Sequence, residues 1–167
     1  MKLVTFLADA SVRHGILRGE PGAERVVDLG PGDLLALIEA GPGGLERARA
    51  AVGRERDLAG VRLLSPLLRP PKLLALARNY QDHITEGGGH AVDKARIVPK
   101  LFLKPSSAII GPDEPLRLPT VSQTTDWEAE LAVVIGARGR NVPVERVLGL
   151  VFGYTVANDI SARTTEW

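Results

Sequence analysis

Three prolines within seven residues divide the 167-residue chain into two parts. They lie in residues 65–71, which read SPLLRPP. Because proline lacks a backbone N–H and has a fixed φ, this segment can neither continue a helix nor form a central strand. We therefore predict a small N-terminal domain over residues 1–65 and a second domain over residues 66–167.

Turn residues alternate with short apolar stretches in the first of these domains. The sequences ADAS and GEPG separate the stretches 2–7, 12–18 and 25–29. This spacing predicts a small antiparallel meander. Asp33 is placed to cap a following helix that stops near Gly41, and a second helix is predicted over residues 45–52. The N-terminal domain is therefore predicted to be a small, β-rich β/α module.

Apolar strands dominate the second domain. Residues 72–77 (KLLALA) are apolar after Lys72 and are typical of a buried strand. Residues 127–136 (WEAELAVVIG) alternate with the two-residue period of a strand. Pro143 begins a short predicted helix, and a last strand is predicted to end at Asp159. The whole chain is therefore predicted to have an α+β fold that is mainly β with short helices.

The composition excludes several classes of protein and site. The chain has no cysteine, which rules out disulfides, thiolate metal sites and cysteine nucleophiles. Its formal net charge is +1, too small to attract nucleic acid or an anionic membrane surface. Neither a secretory signal nor an apolar run of about 18 residues is present. We therefore expect a cytoplasmic protein without a nucleic-acid or membrane partner.

Two glutamates lie two positions apart on the strand predicted over residues 127–136. Glu128 and Glu130 therefore share one face, with Cα atoms about 7 Å apart, and Ala132 and Val134 continue that face. Two carboxylates beside apolar neighbours repel each other, so either one of them takes up a proton or a cation lies between them. A solvated strand face is the alternative.

Asp159 favours the cation. It ends another apolar strand, so that a third carboxylate becomes available. Oxygen ligands alone suit Mg²⁺, Mn²⁺ or Ca²⁺ better than zinc or copper. Three such ligands leave about half of an octahedron open for water or substrate oxygens.

Several segments, in order, resemble the fumarylacetoacetate hydrolase family. DWEAELAVVIG followed by GYTVANDISAR resembles the family's metal-binding signature. Upstream, KLLALARNYQDHITE resembles its strand, Asn-Tyr and His-x-x-Glu segment, and LFLKPSSAIIGP resembles its Phe-x-Lys-Pro stretch. Order and spacing agree over residues 60–167, and the N-terminal domain resembles the small β-rich domain that many members carry. The resemblance implies a mixed β-roll catalytic domain, here apparently truncated.

The resemblance also implies roles for individual residues. Glu128, Glu130 and Asp159 match the family's metal ligands, which usually bind Mg²⁺ or Mn²⁺. His83 and Glu86 match its catalytic pair. Because the two lie three positions apart on one helical turn, Glu86 can orient the imidazole and raise its basicity. An exposed salt bridge at a helix end is the alternative.

Three glycines follow this pair at residues 87–89. They permit almost any backbone path, which is typical of a mobile lid hinge but equally of an ordinary flexible loop. His14 and His90 are interpreted as surface residues.

The reaction that the resemblance implies is hydrolytic cleavage of a C–C bond in a small 2,4-dioxo acid such as an acylpyruvate, through a metal-stabilised enolate. Related members isomerise, hydrate or decarboxylate similar 2-oxo acids. Arg78, Tyr80 and Lys104 are candidate substrate contacts, because an anionic substrate needs a cation or hydroxyl besides the metal. Surface charge and a packed tyrosine are the alternatives for these residues. A homodimer is expected by resemblance only.

Two departures from the family pattern affect this interpretation. The family usually has Ser-Ala-Arg-Asp-x-Gln where this chain has Ser-Ala-Arg-Thr-Thr-Glu, with Glu166 in place of the amide. The family's catalytic domain also continues well beyond the position of Trp167 and carries a catalytic lysine there. A non-catalytic binding domain with the same fold is therefore a second hypothesis.

Overall fold

The computed structural model of this chain describes residues 1–86 and 88–163. The predictions made for Gly87 and Glu166 fall outside these residues. Strands outnumber helices and every helix is short, so the predicted α+β class is confirmed. The strands are β1 Lys2–Ala8, β2 Ser11–Arg18, β3 Arg25–Pro31, β4 Glu55–Asp57, β5 Arg62–Leu64, β6 Leu73–Ala77, β7 Lys100–Lys104, β8 Thr125–Asp126, β9 Ala129–Ile135, β10 Val151–Asn158 and β11 Ser161–Ala162.

The α-helices are α1 Leu35–Glu39, α2 Gly41–Ala50 and α3 Gln81–Glu86. Short 3₁₀ turns cover Leu58–Gly60, Lys94–Arg96, Ser106–Ala108 and Val144–Leu150. Within the described part of the chain, no helix has the length and apolar character needed to cross a membrane.

The chain forms two compact units. One consists of residues 1–66 together with the chain from Gly111 onward, and the other is residues 67–110. One break between the units therefore falls at Pro66, inside the proline-rich segment. The division into domains 1–65 and 66–167 stays a prediction.

The N-terminal part of the first unit is one antiparallel sheet. Its strand order is β4-β3-β2-β1-β5, so the predicted meander is confirmed as β1, β2 and β3. Phe6 and Val26 are fully buried and form the centre of its core. Gly15 packs closely against this core. A Cβ atom at this position would lie 2.5 Å from the carbonyl oxygen of Val27, a clash that glycine avoids because it has no side chain.

Helices α1 and α2 follow β3. The N-cap of α1 is Leu34 and not the predicted Asp33, but the Asp33 carboxylate accepts a hydrogen bond from the N–H of Leu35, the first residue of the helix, at 3.1 Å. The second helix begins at Gly41, four residues before the predicted start, because proline at position 42 is tolerated in the first turn, where its missing N–H has no partner to lose. The prediction that Gly41 marks the end of the first helix agrees with its left-handed φ of 62°.

The buried carboxylate of Asp28 on β3 forms ion pairs with arginines of β2 and β4. The side chain of Asp28 is only 3% exposed and accepts hydrogen bonds from Arg13 Nε at 2.6 Å and Arg56 Nε at 3.2 Å. Burial raises the pKa of Asp28, but the hydrogen bonds and charges of the two guanidinium groups outweigh burial, so the pKa lies below its ordinary value. Arg56 Nη2 also donates a hydrogen bond to Asp9 Oδ2 at 2.6 Å.

His14 is not the surface residue that the sequence suggested. It is buried between β1 and β3, with its Nδ1 3.3 Å from the carbonyl oxygen of Gly32. The prediction failed because the apolar-polar alternation of β2 cannot show that this face of the sheet is covered.

The Asp28 network predicts acid lability. Because the folded-state pKa of Asp28 is depressed, its stabilisation is present above the unfolded value of about 3.9 and is lost as the pH falls through the lower, folded value. We therefore expect the free energy of unfolding by urea to fall steeply below about pH 4. Asp28→Asn should lower the free energy of unfolding by about 3 kcal/mol at pH 7, since two guanidinium groups lose their shared partner. The stability of this variant should also depend less on pH below about pH 4 than that of wild type. Parallel pH curves for the two proteins would contradict this account.

The second unit contains β6, α3 and β7. β6 pairs antiparallel with β7, from Leu73 opposite Lys104 to Ala77 opposite Lys100. The strand predicted over residues 72–77 is present, but its expected burial is wrong: Leu74 and Leu76 are 54% and 43% exposed. A two-stranded ladder leaves much of both faces uncovered, which accounts for this exposure.

The strand predicted over residues 127–136 is observed as the shorter β9, Ala129–Ile135, so Glu128 lies just before it. It pairs antiparallel with β10, and the predicted helix between them is the 3₁₀ turn Val144–Leu150. The alternation is visible in the burial pattern, because the face of Glu130, Ala132 and Val134 is half-buried whereas Leu131 and Val133 on the other face are exposed. The face that carries the glutamates is thus the better covered of the two.

Candidate metal and substrate site

The register of the β9–β10 ladder brings the three predicted metal ligands onto one face. Glu130 lies opposite Ala157, and one step further the Asp159 N–H donates to the Glu128 carbonyl oxygen at 2.9 Å. Residues opposite each other in an antiparallel ladder project to the same side, as do residues two apart on one strand. Glu128, Glu130 and Asp159 therefore occupy one end and one face of the ladder.

Short strands β8 and β11 continue this pairing and add a fourth acid. Asp126 lies opposite Ser161, and the Arg163 N–H donates to the Thr124 carbonyl oxygen at 2.9 Å. Asp126 was not identified from the sequence as a site residue. The signal was available, since it precedes Glu128 by two positions and so shares its strand face.

Arg163 joins two of these acids. Its Nη2 donates to Glu128 Oε1 at 2.5 Å and to Asp126 Oδ2 at 2.9 Å, and its Nε lies 3.2 Å from the same Asp126 oxygen. The Ser161 hydroxyl is 3.4 Å from Glu128 Oε1. The Glu128 side chain is only 20% exposed, so little water can solvate its carboxylate. The Arg163 guanidinium provides the positive charge beside it.

These residues fit a divalent cation in donor chemistry. All the candidate ligands are carboxylate oxygens, the donors that Mg²⁺, Mn²⁺ and Ca²⁺ prefer. Arg163 compensates part of the charge of Glu128 and Asp126. Across residues 1–86 and 88–163, no three His, Asp or Glu side chains come close enough to hold an ion, and Glu128 is turned toward Arg163. The ligand assignment stays a prediction.

The predicted catalytic pair lies on α3, in the second unit. His83 and Glu86 are both exposed, while Ile84 is the buried residue of this helix. No hydrogen bond or ion pair between the imidazole and the Glu86 carboxylate is found among the described residues. The backbone beyond the helix folds back on it, since the Gly89 N–H donates to the Ile84 carbonyl oxygen at 2.9 Å. The pairing of His83 with Glu86 therefore stays a prediction.

The three candidate substrate contacts also lie in the second unit, residues 67–110. Arg78 has a left-handed φ of 54° directly after β6, a strained conformation that is uncommon outside glycine. Tyr80 is partly exposed, and its carbonyl oxygen accepts the Ile84 N–H at the start of α3. Lys104, at the end of β7, lines an open cavity of about 390 Å³ with Lys72 and Pro105. Their roles in substrate binding stay predictions.

Gln81 is a residue of this unit that the sequence did not single out. Its Oε1 accepts the Val92 N–H at 3.4 Å, which ties the loop after α3 to the start of the helix. Its Nε2 is buried and has no hydrogen-bond partner in the described part of the chain. A buried donor without a partner is uncommon and marks a place where a polar atom of another molecule could bind. Nothing in the sequence distinguishes this glutamine from any other.

Comparison with known proteins identifies the family. The sequence profile described as fumarylacetoacetate (FAA) hydrolase, C-terminal, matches residues 72–167. The protein named oxaloacetate tautomerase fahd2, mitochondrial, of Xenopus laevis is 35% identical over all of this chain and 53% of its own length. The chain spans about half the length of the curated relatives that it matches at full coverage.

Two solved structures extend this result to the fold. The structure described as 5-carboxymethyl-2-hydroxymuconate delta-isomerase from Mycobacterium smegmatis is 30% identical, with a TM-score of 0.72 over 98% of this chain and 56% of that chain. Maleylpyruvate hydrolase from Sphingobium sp. SYK-6, in complex with manganese (II) ion and pyruvate, is 29% identical, with a TM-score of 0.72 over 98% of this chain and 60% of that chain. The resemblance inferred from the motifs is confirmed, and the chain belongs to the fumarylacetoacetate hydrolase family.

Proposed function

We propose that the function of this protein is divalent-metal-dependent hydrolysis of a C–C bond in a small 2,4-dioxo acid. The observation that carries the proposal is the placement of Glu128, Glu130 and Asp159 on one face of one ladder. Two relatives add support, one named as a hydrolase and crystallised with manganese and pyruvate, the other named as an isomerase. A cytoplasmic location and a homodimer stay predictions.

Glu128, Glu130 and Asp159 would hold the metal ion, Mg²⁺ or Mn²⁺, with Ca²⁺ as a further possibility. When bound, such an ion supplies positive charge where negative charge develops on the substrate oxygens. The chain's own contribution is to hold the three residues on a paired backbone, and the Glu128 carboxylate would have to turn from Arg163 to bind the ion.

His83 is proposed as the general base. Its imidazole accepts a proton from water while the water oxygen forms a bond to C4 of the dioxo acid. The C3–C4 bond then breaks, its electron pair stays on C3, and C3 takes up a proton, which gives a carboxylic acid and a 2-oxo acid. Glu86 orients the imidazole. The absence of a contact between the two side chains does not exclude this role, because catalytic hydrogen bonds often tighten only when substrate binds.

Arg78, Tyr80 and Lys104 are proposed to bind the substrate's anionic and carbonyl oxygens. Arginine and lysine supply charge-assisted hydrogen bonds to a carboxylate, and the tyrosine hydroxyl can donate to a carbonyl. The strained backbone at Arg78 supports a functional role for that residue, since such strain is concentrated at active sites.

A tautomerase or isomerase of a related 2-oxo acid is the second candidate. The Xenopus relative that matches the whole chain is named an oxaloacetate tautomerase. This reaction needs the same base, which removes a proton from C3 while the 2-oxo oxygen gains one, but no water is added and no C–C bond breaks. Decarboxylation and a binding domain without turnover remain further alternatives.

Proton NMR in D₂O distinguishes these functions in one experiment. The full chain, treated with EDTA and gel-filtered to remove divalent cations, is compared with the same chain supplied with Mg²⁺, on an acylpyruvate and on oxaloacetate. Mg²⁺-dependent release of pyruvate from the acylpyruvate, above the rate in EDTA, is expected for the hydrolase. Accelerated deuterium exchange at C3 without cleavage would assign the tautomerase, and neither process above background would contradict an enzymatic role for this chain.

A further inference from the structure

We propose that Arg163 competes with the divalent cation for Glu128 and thereby sets the metal affinity of the site. This inference rests on the proposed metal site and adds a residue that is not a ligand. The competition follows from the contacts that Arg163 makes with Glu128 and Asp126.

The carboxylate of Glu128 already has a cationic partner. Arg163 Nη2 donates to Glu128 Oε1, which makes a charge-assisted hydrogen bond between a guanidinium and a carboxylate. The Glu128 side chain is 20% exposed, so solvent screens this pair only weakly. A metal ion that binds the same carboxylate must therefore either displace the guanidinium or tolerate a like charge beside it.

Arg163 is held in place by a second anchor. Its Nη2 and Nε lie 2.9 and 3.2 Å from Asp126 Oδ2, and its backbone N–H donates to the Thr124 carbonyl oxygen. The guanidinium can therefore release Glu128 without losing its contact with Asp126. Arg163 would then stay near the bound ion, where its charge opposes the ion's charge.

The test is calorimetric titration of MnCl₂ into the full chain and three variants. Arg163→Gln removes the charge and keeps a polar side chain, whereas Arg163→Lys keeps the charge and loses the planar fork. Arg138→Gln is the matched control, since Arg138 is an exposed arginine of the same unit. Circular dichroism of each protein verifies that it is folded.

We expect Arg163→Gln to bind Mn²⁺ about tenfold more tightly than wild type, a change that one like charge within a few ångströms readily produces. Arg163→Lys should stay close to wild type, and so should Arg138→Gln. Equal or weaker binding by Arg163→Gln, with wild type binding normally, would overturn the competition while leaving the metal site intact. Absence of Mn²⁺ binding in every protein would overturn the metal site and this inference together.

Discussion

Replacing His83 by alanine is expected to lower kcat of the metal-loaded protein by about 10²- to 10⁴-fold, the range that a positioned general base contributes. The loss should appear in kcat more than in KM, since His83 is proposed to move a proton rather than to bind the substrate. Its exposure on α3 places the imidazole where water and a small acid can reach it. Steady-state release of pyruvate from an acylpyruvate measures the effect.

Two further variants make this result specific. Glu86→Gln keeps the size of the side chain but removes its charge, so a smaller loss is expected if Glu86 only orients His83. His90→Ala is the matched control, because His90 is an exposed histidine in the loop after α3. If His83→Ala and wild type turned over equally fast, His83 would be excluded as the base.

The second large effect concerns the carboxylates. Mn²⁺ at about 100 times its dissociation constant should raise the free energy of unfolding of the wild-type chain by about 2.7 kcal/mol. For a chain of this size, that corresponds to several degrees in Tm. Asp159→Asn and Glu130→Gln should abolish the increase, because a neutral amide oxygen is a much weaker ligand for a hard cation than a carboxylate. Thermal unfolding with and without the ion measures it.

The controls for the carboxylate variants use an acid outside the site. Asp113 is exposed and has a left-handed φ of 62°, a conformation that asparagine also tolerates, so Asp113→Asn should keep the full Mn²⁺ response. A full response in Asp159→Asn would contradict its assignment as a ligand.

The strands of this protein could be predicted because their alternation is local. The pattern WEAELAVVIG defines both faces of β9 without reference to any partner, and the observed burial alternates accordingly. The meander of β1, β2 and β3 could be predicted from its turns for the same reason. The three acids could be proposed as a site because two of them share a predicted strand face and the third ends an apolar strand.

The interactions that could not be predicted join residues far apart in the chain. Asp28 meets Arg13 and Arg56 only because β3 lies between β2 and β4, and no local pattern indicates that order. Likewise, Asp126 meets Arg163 across the β8–β11 pair. Register between distant segments decides these contacts, and a single sequence contains little information about it.

Burial was the other source of error. Leu74 and Leu76 form part of a fully apolar run and were expected to be buried, yet they are exposed on β6. Apolar character shows what a strand prefers to contact, but the number of strands and layers around it determines whether that contact is made.

The central claim is that Glu128, Glu130 and Asp159 bind one divalent cation. Anomalous diffraction from crystals of the chain grown with MnCl₂ tests it most directly. We predict one manganese peak for each chain, with an oxygen of each of the three carboxylates at about 2.0–2.6 Å, the range for hard divalent ions. A peak elsewhere, or one that Asp159 cannot reach, would contradict the claim.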